Sequence, residues 1–404
     1  MTEHILVIHR WRDRYALYAD YLDHHAFHVS YVTTQMGSQS VPAEAAAVVT
    51  VTATDDLDQV RAAAEELIER FGKPARVVAC NEGDLDTAAQ LRVHLGCPGQ
   101  DPFALARFRD KLTMVRTVDA AGLSVPRYAD APDAAAVLDF ADEHGWPLIV
   151  KPRRGTASRG VLRLDSVDDL GLLDRGPAEP RLVQTRCPDA IYHVDGLWIG
   201  SRLGPWRASR YVNTPVEFTI GEALGSVEVD DPALLGPLGE FTAAAAGALS
   251  DEPWVFHLEV FVGDRPGGTP RLTFLEAGYR VGGAEIPFVW REVHGIDLMS
   301  AAVRIQLDQD PGLGPGGPAD GPVGGWLLVP TPVPAPCRVL SAELPDDPAG
   351  PYARVVPEPG YLVPKVGGYE HVGARFRFAG AGTEQVEEAI AATAARFRLR
   401  CEPA

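Results

Sequence analysis

Through the first part of the chain, short apolar runs alternate with stretches whose apolar residues return at helical spacing. His4–Ile8, Val29–Thr33, Val48–Val51 and Ala75–Cys80 are the β-rich runs. Leu57, Val60, Ala64, Leu67, Ile68 and Phe71 fall on one helical face. Thr54 is placed to cap that helix, Asp55 and Asp56 suit its first turn, and Gly72 with Pro74 closes it. After Asn81-Glu82-Gly83-Asp84 a further helix runs to about Leu95. Strands alternating with helices predict an open parallel sheet. Ligands of such sheets lie beyond the carboxyl ends of the strands. Asn81 and Glu82 are therefore candidate substrate contacts, the other reading being a polar helix cap.

The pattern then changes. Gln100–Arg109 reads as a connector, and Asp110-Lys111 opens a helix with Leu112, Val115 and Val118 at helical spacing. Asp133 caps a helix to His144, stopped by Gly145 and Pro147. Leu148–Val150 is a buried strand end with Lys151 at its tip and Pro152 after it. The loop beyond contains Gly155, Thr156, Ser158 and Gly160. Glycines let a backbone approach a ligand, successive N–H groups cradle anions, and a lysine supplies a point charge. The stretch is either a phosphate clamp or a surface hairpin with a basic tip. Ser166, with Asp169 three residues on, caps a short helix, and Arg181–Thr185 is a strand.

Cys187–Tyr211 reads as β structure with turns at Asp195-Gly196 and Gly204-Pro205. Asp231-Pro232 begins a helix to Leu249 that Pro237 could kink. Trp254–Val262 alternates, placing Val255, His257, Glu259 and Phe261 on one side. Arg271–Ala277 places Leu272, Phe274 and Glu276 on one side, and Gly282-Gly283 breaks the strand. A helix from Leu298 to Leu307 precedes a Pro/Gly stretch. Strands follow at Gly325–Val329 and Gly360–Val366, and Val386, Ile390, Ala394 and Phe397 mark a last helix. The expected division is residues 1–105, 106–311 with a small lobe at about 124–186, a linker at 312–324, and 325–404.

Length and composition narrow the classes. A chain of 404 residues exceeds one small core, and 46% hydrophobic with 23% charged residues is ordinary for a globular protein. No apolar run approaches the ~20 residues that span a bilayer. The first residues lack a signal-peptide pattern. A net charge of −18 argues against nucleic acid or an anionic membrane as partner. Five scattered cysteines without Cys-x-x-Cys fit a reducing, cytoplasmic setting and no thiolate zinc site. Gly312, Gly314 and Gly317 match Gly-x-Gly-x-x-Gly, but inside the Pro/Gly stretch with no strand before them. His24, His25 and His28 cluster without an acidic ligand pattern and read as packing or surface residues.

One ordered set remains: Asp110-Lys111, then Val150-Lys151-Pro152 with its Gly/Ser loop, Leu182-Val183-Gln184, His257-Leu258-Glu259, and Leu275-Glu276-Ala277-Gly278-Tyr279-Arg280 with Gly282-Gly283. This order resembles the ATP-grasp superfamily, and within it the carboxylate–amine ligases, including the L-amino-acid (dipeptide) ligases. The resemblance covers most of the chain. It implies an α/β and α+β protein: an N-terminal open parallel α/β domain, a nucleotide-clamping lobe, a catalytic lobe and a small C-terminal α+β piece. It implies ATP and Mg²⁺. Lys111 and Lys151 would contact phosphates, with Gly155, Ser158 and Gly160 folding over them. Leu182 and Val183 would meet adenine through their backbone. Gln184 stands where the family often has a glutamate, and Glu259 and Glu276 would hold magnesium.

Arg280 would hold a carboxylate or developing oxyanion. Glu82, Arg210, Gly282 and Gly283 are substrate candidates. The stretch Ser201–Glu222, with Arg202, Arg207, Arg210, Trp206, Tyr211 and Phe218, is either part of the acceptor pocket or a set of packing and rim residues. Three positions depart from the family pattern. Gly278 replaces an asparagine beside the metal glutamate, so a water or substrate oxygen would serve there. Ile191 replaces a glutamate near the ribose, where His193 and Asp195 could substitute. Gln184 removes a charge near the nucleotide. The implied activity is ATP-dependent amide formation through an acylphosphate, on small carboxylate and amine substrates, in a protein whose relatives are often homodimers. The alternatives are an ATP-grasp carboxylase, a phosphoryl transferase, or a nucleotide-binding pseudoenzyme.

Overall fold

A computed structural model describes residues 2–156, 158–175, 179–213, 217–218, 221–264, 268–314, 316, 321–347, 349–365 and 372–404. The N-terminal segment contains β1 (His4–His9), the short helix α1 (Tyr18–Tyr21), β2 (His28–Thr34), β3 (Ala47–Val51), α2 (Leu57–Phe71), β4 (Arg76–Ala79), α3 (Leu85–Leu95) and α4 (Pro102–Arg109). The four strands form a parallel sheet in the order β3-β2-β1-β4. Leu6, Ile8, Val32, Val77 and Ala79 pack against Val60, Ala64 and Leu67 of α2 on one face. The cap of α2 is Asp56, whose side chain accepts from the Asp58 and Gln59 N–H groups, rather than Thr54. The expected connector is helix α4: Asp101 accepts from Ala104 N–H, Pro102 fills the first turn, and Leu105 and Phe108 are buried.

The next lobe holds α5 (Lys111–Ala120), β5 (Tyr128–Asp130), α6 (Ala134–His144), β6 (Leu148–Pro152), β7 (Leu162–Leu164) and β8 (Arg181–Thr185). Its sheet is antiparallel, in the order β5-β8-β6-β7. One face buries Leu148, Val150 and Val183 against Val137, Phe140 and Ala141 of α6. Alternation sends Ile149, Lys151, Leu182 and Gln184 to the other face, because Ile149 pairs with Gln184 and Lys151 with Leu182.

The largest sheet draws on β9 (Ala190–Trp198), β10 (Leu203–Tyr211), β11 (Leu224–Glu228), β12 (Trp254–Gly263) and β13 (Arg271–Gly278), with helices α7 (Pro232–Leu249), α8 (Ile286–His294) and α9 (Leu298–Gln306). The C-terminal segment adds β14 (Val323–Val329), β15 (Cys337–Glu343), β16 (Ala353–Val355), β17 (Leu362–Val363), β18 (Ala374–Gly380), α10 (Thr383–Arg396) and β19 (Arg398–Pro403). The eight-stranded order is β13-β12-β9-β10-β11-β14-β18-β16. Strands from both sides of the Pro/Gly stretch therefore share one sheet, and β17-β15-β19 form a small separate one. The expected strand at Gly360–Val366 is the two-residue β17, and Val366 lies outside the described residues.

The expected turn at Asp195-Gly196 lies inside β9, and Gly204-Pro205 lies inside β10 at a register shift. A Cβ on Gly196 would stand 2.6 Å from the Pro205 carbonyl oxygen and 2.7 Å from Trp206 Cβ, so glycine serves close strand approach here, not reversal. Pro237 lies inside α7, which runs on as one helix. The two faces of the large sheet differ. Trp254, Phe256, Leu258 and Val260 bury against α5 and α7. The opposite face carries Glu259, His257, Asp195, His193 and Glu228. No helix among the described residues is long and apolar enough to cross a membrane.

Candidate active site

Lys151 stands on β6 facing away from α6, and is 5% exposed. No carboxylate pairs with it among the described residues. Burial lowers its pKa to about 8, with Lys111 adding to the effect and Glu276 and Glu259 opposing it. Gln184 shares this face; its Nε2 is buried without a hydrogen-bond partner among the described residues. Leu182 and Val183 differ from expectation. Strand β8 is flanked by β5 and β6, so their backbone groups are engaged on both sides. The first positions past the end of that strand are Arg186 and Cys187.

Lys111 begins α5. Asp110 caps the helix by accepting from Leu112 and Thr113 N–H at 3.0 and 3.2 Å, and Arg153 Nε donates to it at 3.0 Å. Lys111 N–H donates to the Arg153 carbonyl at 2.8 Å, so helix and clamp are tied through the backbone. Its Nζ reaches the Gly155 carbonyl at 3.2 Å and Glu276 Oε2 at 3.3 Å. In the loop beyond, Ser158 (φ 55°) and Gly160 (φ 73°) take left-handed conformations, and a Cβ on Gly160 would stand 2.9 Å from Pro152 Cγ.

Glu259 and Glu276 are directly opposite across β12 and β13. One residue, Leu275, is extra on β13: Glu259 faces Glu276, while Val260 faces Phe274. The bulge corrects the expected face of this strand. Phe274 and Leu272 lie with the apolar core, whereas Glu276 turns to the polar side. Two opposed carboxylates repel unless a cation joins them. Burial would raise the pKa of Glu276, but Lys111, Lys151 and Arg280 override it and hold the group at about 2. Glu259 Oε1 accepts from Tyr211 Oη at 2.8 Å and lies 3.8 Å from His257 Nε2. Gly278, opposite His257, carries no donor beside this pair.

A buried polar chain supports Glu259. His257 Nδ1–H donates to Asp195 Oδ1 at 2.8 Å, His193 Nδ1–H donates to Asp195 Oδ2 at 2.6 Å, and His193 Nε2 meets Ser226 Oγ at 2.7 Å. Burial opposes the His257 charge, but Asp195 raises its pKa to about 9. Burial likewise opposes the Asp195 charge, and the two histidines hold it well below the usual carboxylate range. Gly282 closes over the pair, since a Cβ there would stand 2.4 Å from Asp195 Oδ1 and 3.0 Å from His257 Nδ1. His193 is thus 1% exposed and engaged at both nitrogens, which separates it from the expected ribose contact. Only the alternation of β12, which sets His257 on the side of Glu259, hinted at this chain in the sequence. His193, Asp195 and His257 are the cluster of potential metal ligands among the described residues. Their 2.6–2.8 Å contacts are hydrogen bonds that already use these atoms.

Glu82 follows β4 and accepts from Arg280 Nε at 2.7 Å and Arg109 Nη1 at 2.6 Å. Burial opposes its charge, and the two guanidiniums bring its pKa below the ordinary value. Arg280 Nη1 also donates to the Val281 carbonyl at 3.0 Å. Gly283 lies just before α8, its carbonyl accepting from Ile286 N–H. Arg210 differs from the expected acceptor-pocket role: its Nη2 donates to Glu387 of α10 at 2.7 Å. Lys111, Lys151 and Arg280 all act on Glu276, which faces Glu259 across the strand pair, while Arg210 is held to the C-terminal helix.

The chain has the ATP-grasp fold. No family model matches the sequence. The solved L-amino acid ligase from Bacillus licheniformis superposes with a TM-score of 0.73 at 14% identity, over 98% of each chain. An N5-carboxyaminoimidazole ribonucleotide synthetase solved with ADP superposes at 0.65 and 14%, over 98% of this chain and 97% of that one. Among curated proteins, a D-alanine–D-alanine ligase from Streptomyces griseus is 43% identical over 82 residues, 18% of this chain and 21% of that one. An L-arginine-specific L-amino acid ligase from Bacillus subtilis is 24% identical over 283 residues, 67% of this chain and 65% of that one. The chain thus spans about a fifth of the D-alanine–D-alanine ligase and about two thirds of the L-amino acid ligase.

Proposed function

We propose that the protein is an ATP-dependent, ADP-forming ligase that joins a small carboxylate to an amine, with amino-acid-like substrates. What supports this is that Glu276 faces Glu259, lies 3.3 Å from Lys111, and has Lys151 and Arg280 near enough to hold it ionised. A substrate carboxylate oxygen attacks the γ-phosphorus, giving an acylphosphate and ADP. An amine then attacks the acyl carbon, phosphate leaves, and the amine proton is lost to solvent or phosphate. Lys111 and Lys151 neutralise phosphate oxygens, and Arg280, aimed by Glu82, offers its fork to the carboxylate. The small-lobe loop around Gly155, Ser158 and Gly160 keeps water from the acylphosphate.

Glu259 and Glu276 fit magnesium: they are hard oxygen donors placed opposite each other, and their repulsion calls for a cation. Bound there, the ion would neutralise phosphate charge. With Leu182 and Val183 engaged in β-ladders, we assign the adenine contact to the segment after β8 and keep Gln184 beside the nucleotide. The test is to incubate the protein with ATP, Mg²⁺ and amino-acid mixtures, following phosphate release and product mass. ADP with a new amide supports the ligase. ADP with a carboxylated or phosphorylated product, or binding without turnover, rejects it.

A further inference from the structure

A cavity of about 560 Å³ opens between α3, α4, the Glu252-Pro253 turn, Tyr279 and the end of α9. Its volume suits a small molecule. Arg92 of α3 lines it and is 4% exposed. The guanidinium donates to the Val77 carbonyl at 2.7 Å from Nη2, and to Gln306 Oε1 at 2.9 Å. Its Nη1 makes only a 3.3 Å contact, to the Gln100 carbonyl. Among the described residues no carboxylate pairs with Arg92. A buried charge without a counter-ion is costly. The walls add Asp101, Glu252, Asp308 and Asp310. These acids disfavour a simple anion, and Arg92 disfavours a simple cation.

The cavity also touches the candidate active site. Tyr279 lines it and directly precedes Arg280; a smaller, water-sized cavity is lined by Tyr279, Gln306 and Arg280 together. The Tyr279 ring lies 5.1 Å from that of Phe108, which precedes Arg109, and stacks at 6.0 Å on Trp254. Both arginines grip Glu82. We propose that this cavity binds a free α-amino acid, its carboxylate toward Arg92 and its ammonium toward the acids of the walls.

The probes are the proteinogenic L-amino acids, each titrated at millimolar concentration into the full chain without ATP and followed by calorimetry. The expected result is binding of at least one amino acid that survives Arg280→Ala. The same binding weakens by about tenfold or more in Ala104→Trp, which fills the cavity, and in Glu252→Lys. Glu252 is exposed, so its variant decides the matter should Ala104→Trp lose its native circular dichroism. Absence of binding, or binding lost in Arg280→Ala and kept in the cavity variants, overturns the proposal. Phosphate release is scored separately, so failure of the ligase reading is visible on its own.

Discussion

Lys151 sits on the cleft face of β6, and burial holds its pKa at about 8 against an ordinary 10.5. Between those values the unfolded chain keeps a proton that the folded chain has released. The lysine's contribution to stability therefore rises with pH across that window. Nucleotide binding runs the other way, because phosphates need the charged form. ATP affinity should fall as pH climbs through about 8, and titration calorimetry at several pH values should show Lys151→Met without that fall. Glu276→Gln removes one of the opposed carboxylates and should lower kcat by on the order of 10²–10³ with circular dichroism unchanged. These two residues stood out in the sequence because a strand-end lysine and a strand glutamate each have a recognisable setting. The His257–Asp195–His193 chain did not, because Asp195 looked like half of an Asp-Gly turn. Gly196 instead serves the close packing of β9 on β10.

At the scale of elements, period-two alternation is kept along β12 and broken along β13. The parallel N-terminal sheet was legible because each strand was a compact apolar run ending in polar residues. The bulge at Leu275 was not, since an inserted residue leaves no mark in composition. Its deletion should restore plain alternation with Phe274 still opposite Val260 and Glu276 still opposite Glu259, so Mg²⁺-dependent turnover should persist, whereas inserting a second residue there should turn Glu276 into the core and abolish it. Helix α4 was missed although Asp101-Pro102 is a good start signal, because its apolar stripe is short. Gly282 belongs to this scale too. Ala at that site would press on Asp195 and Ile286, at a cost of about 1–3 kcal/mol measurable by denaturant titration.

Across the whole molecule, distant segments meet at Glu285. This residue is fully buried and accepts from Arg375 Nη1 of β18 at 3.0 Å, while Arg375 Nη2 contacts Asp13 of the N-terminal segment. The loop after Arg280 is thus anchored from both ends of the chain, a pairing no local sequence pattern announces. Arg375→Met leaves Glu285 with Arg377 alone, its Nε 3.2 Å from Oε2, and should cost about 1–3 kcal/mol in urea unfolding.

Lys111 Nζ and Glu276 Oε2 hold each other at 3.3 Å. Under the proposed function a triphosphate and its counter-ion would meet both partners already paired, so docking would be an exchange of companions. Removing Lys111 leaves Glu276 to Lys151 and Arg280, and removing Glu276 leaves Lys111 to the Gly155 carbonyl. Replacing Lys111 and Glu276 together should therefore disturb folding less than the sum of the single changes, a non-additivity that a double-mutant cycle in urea would reveal.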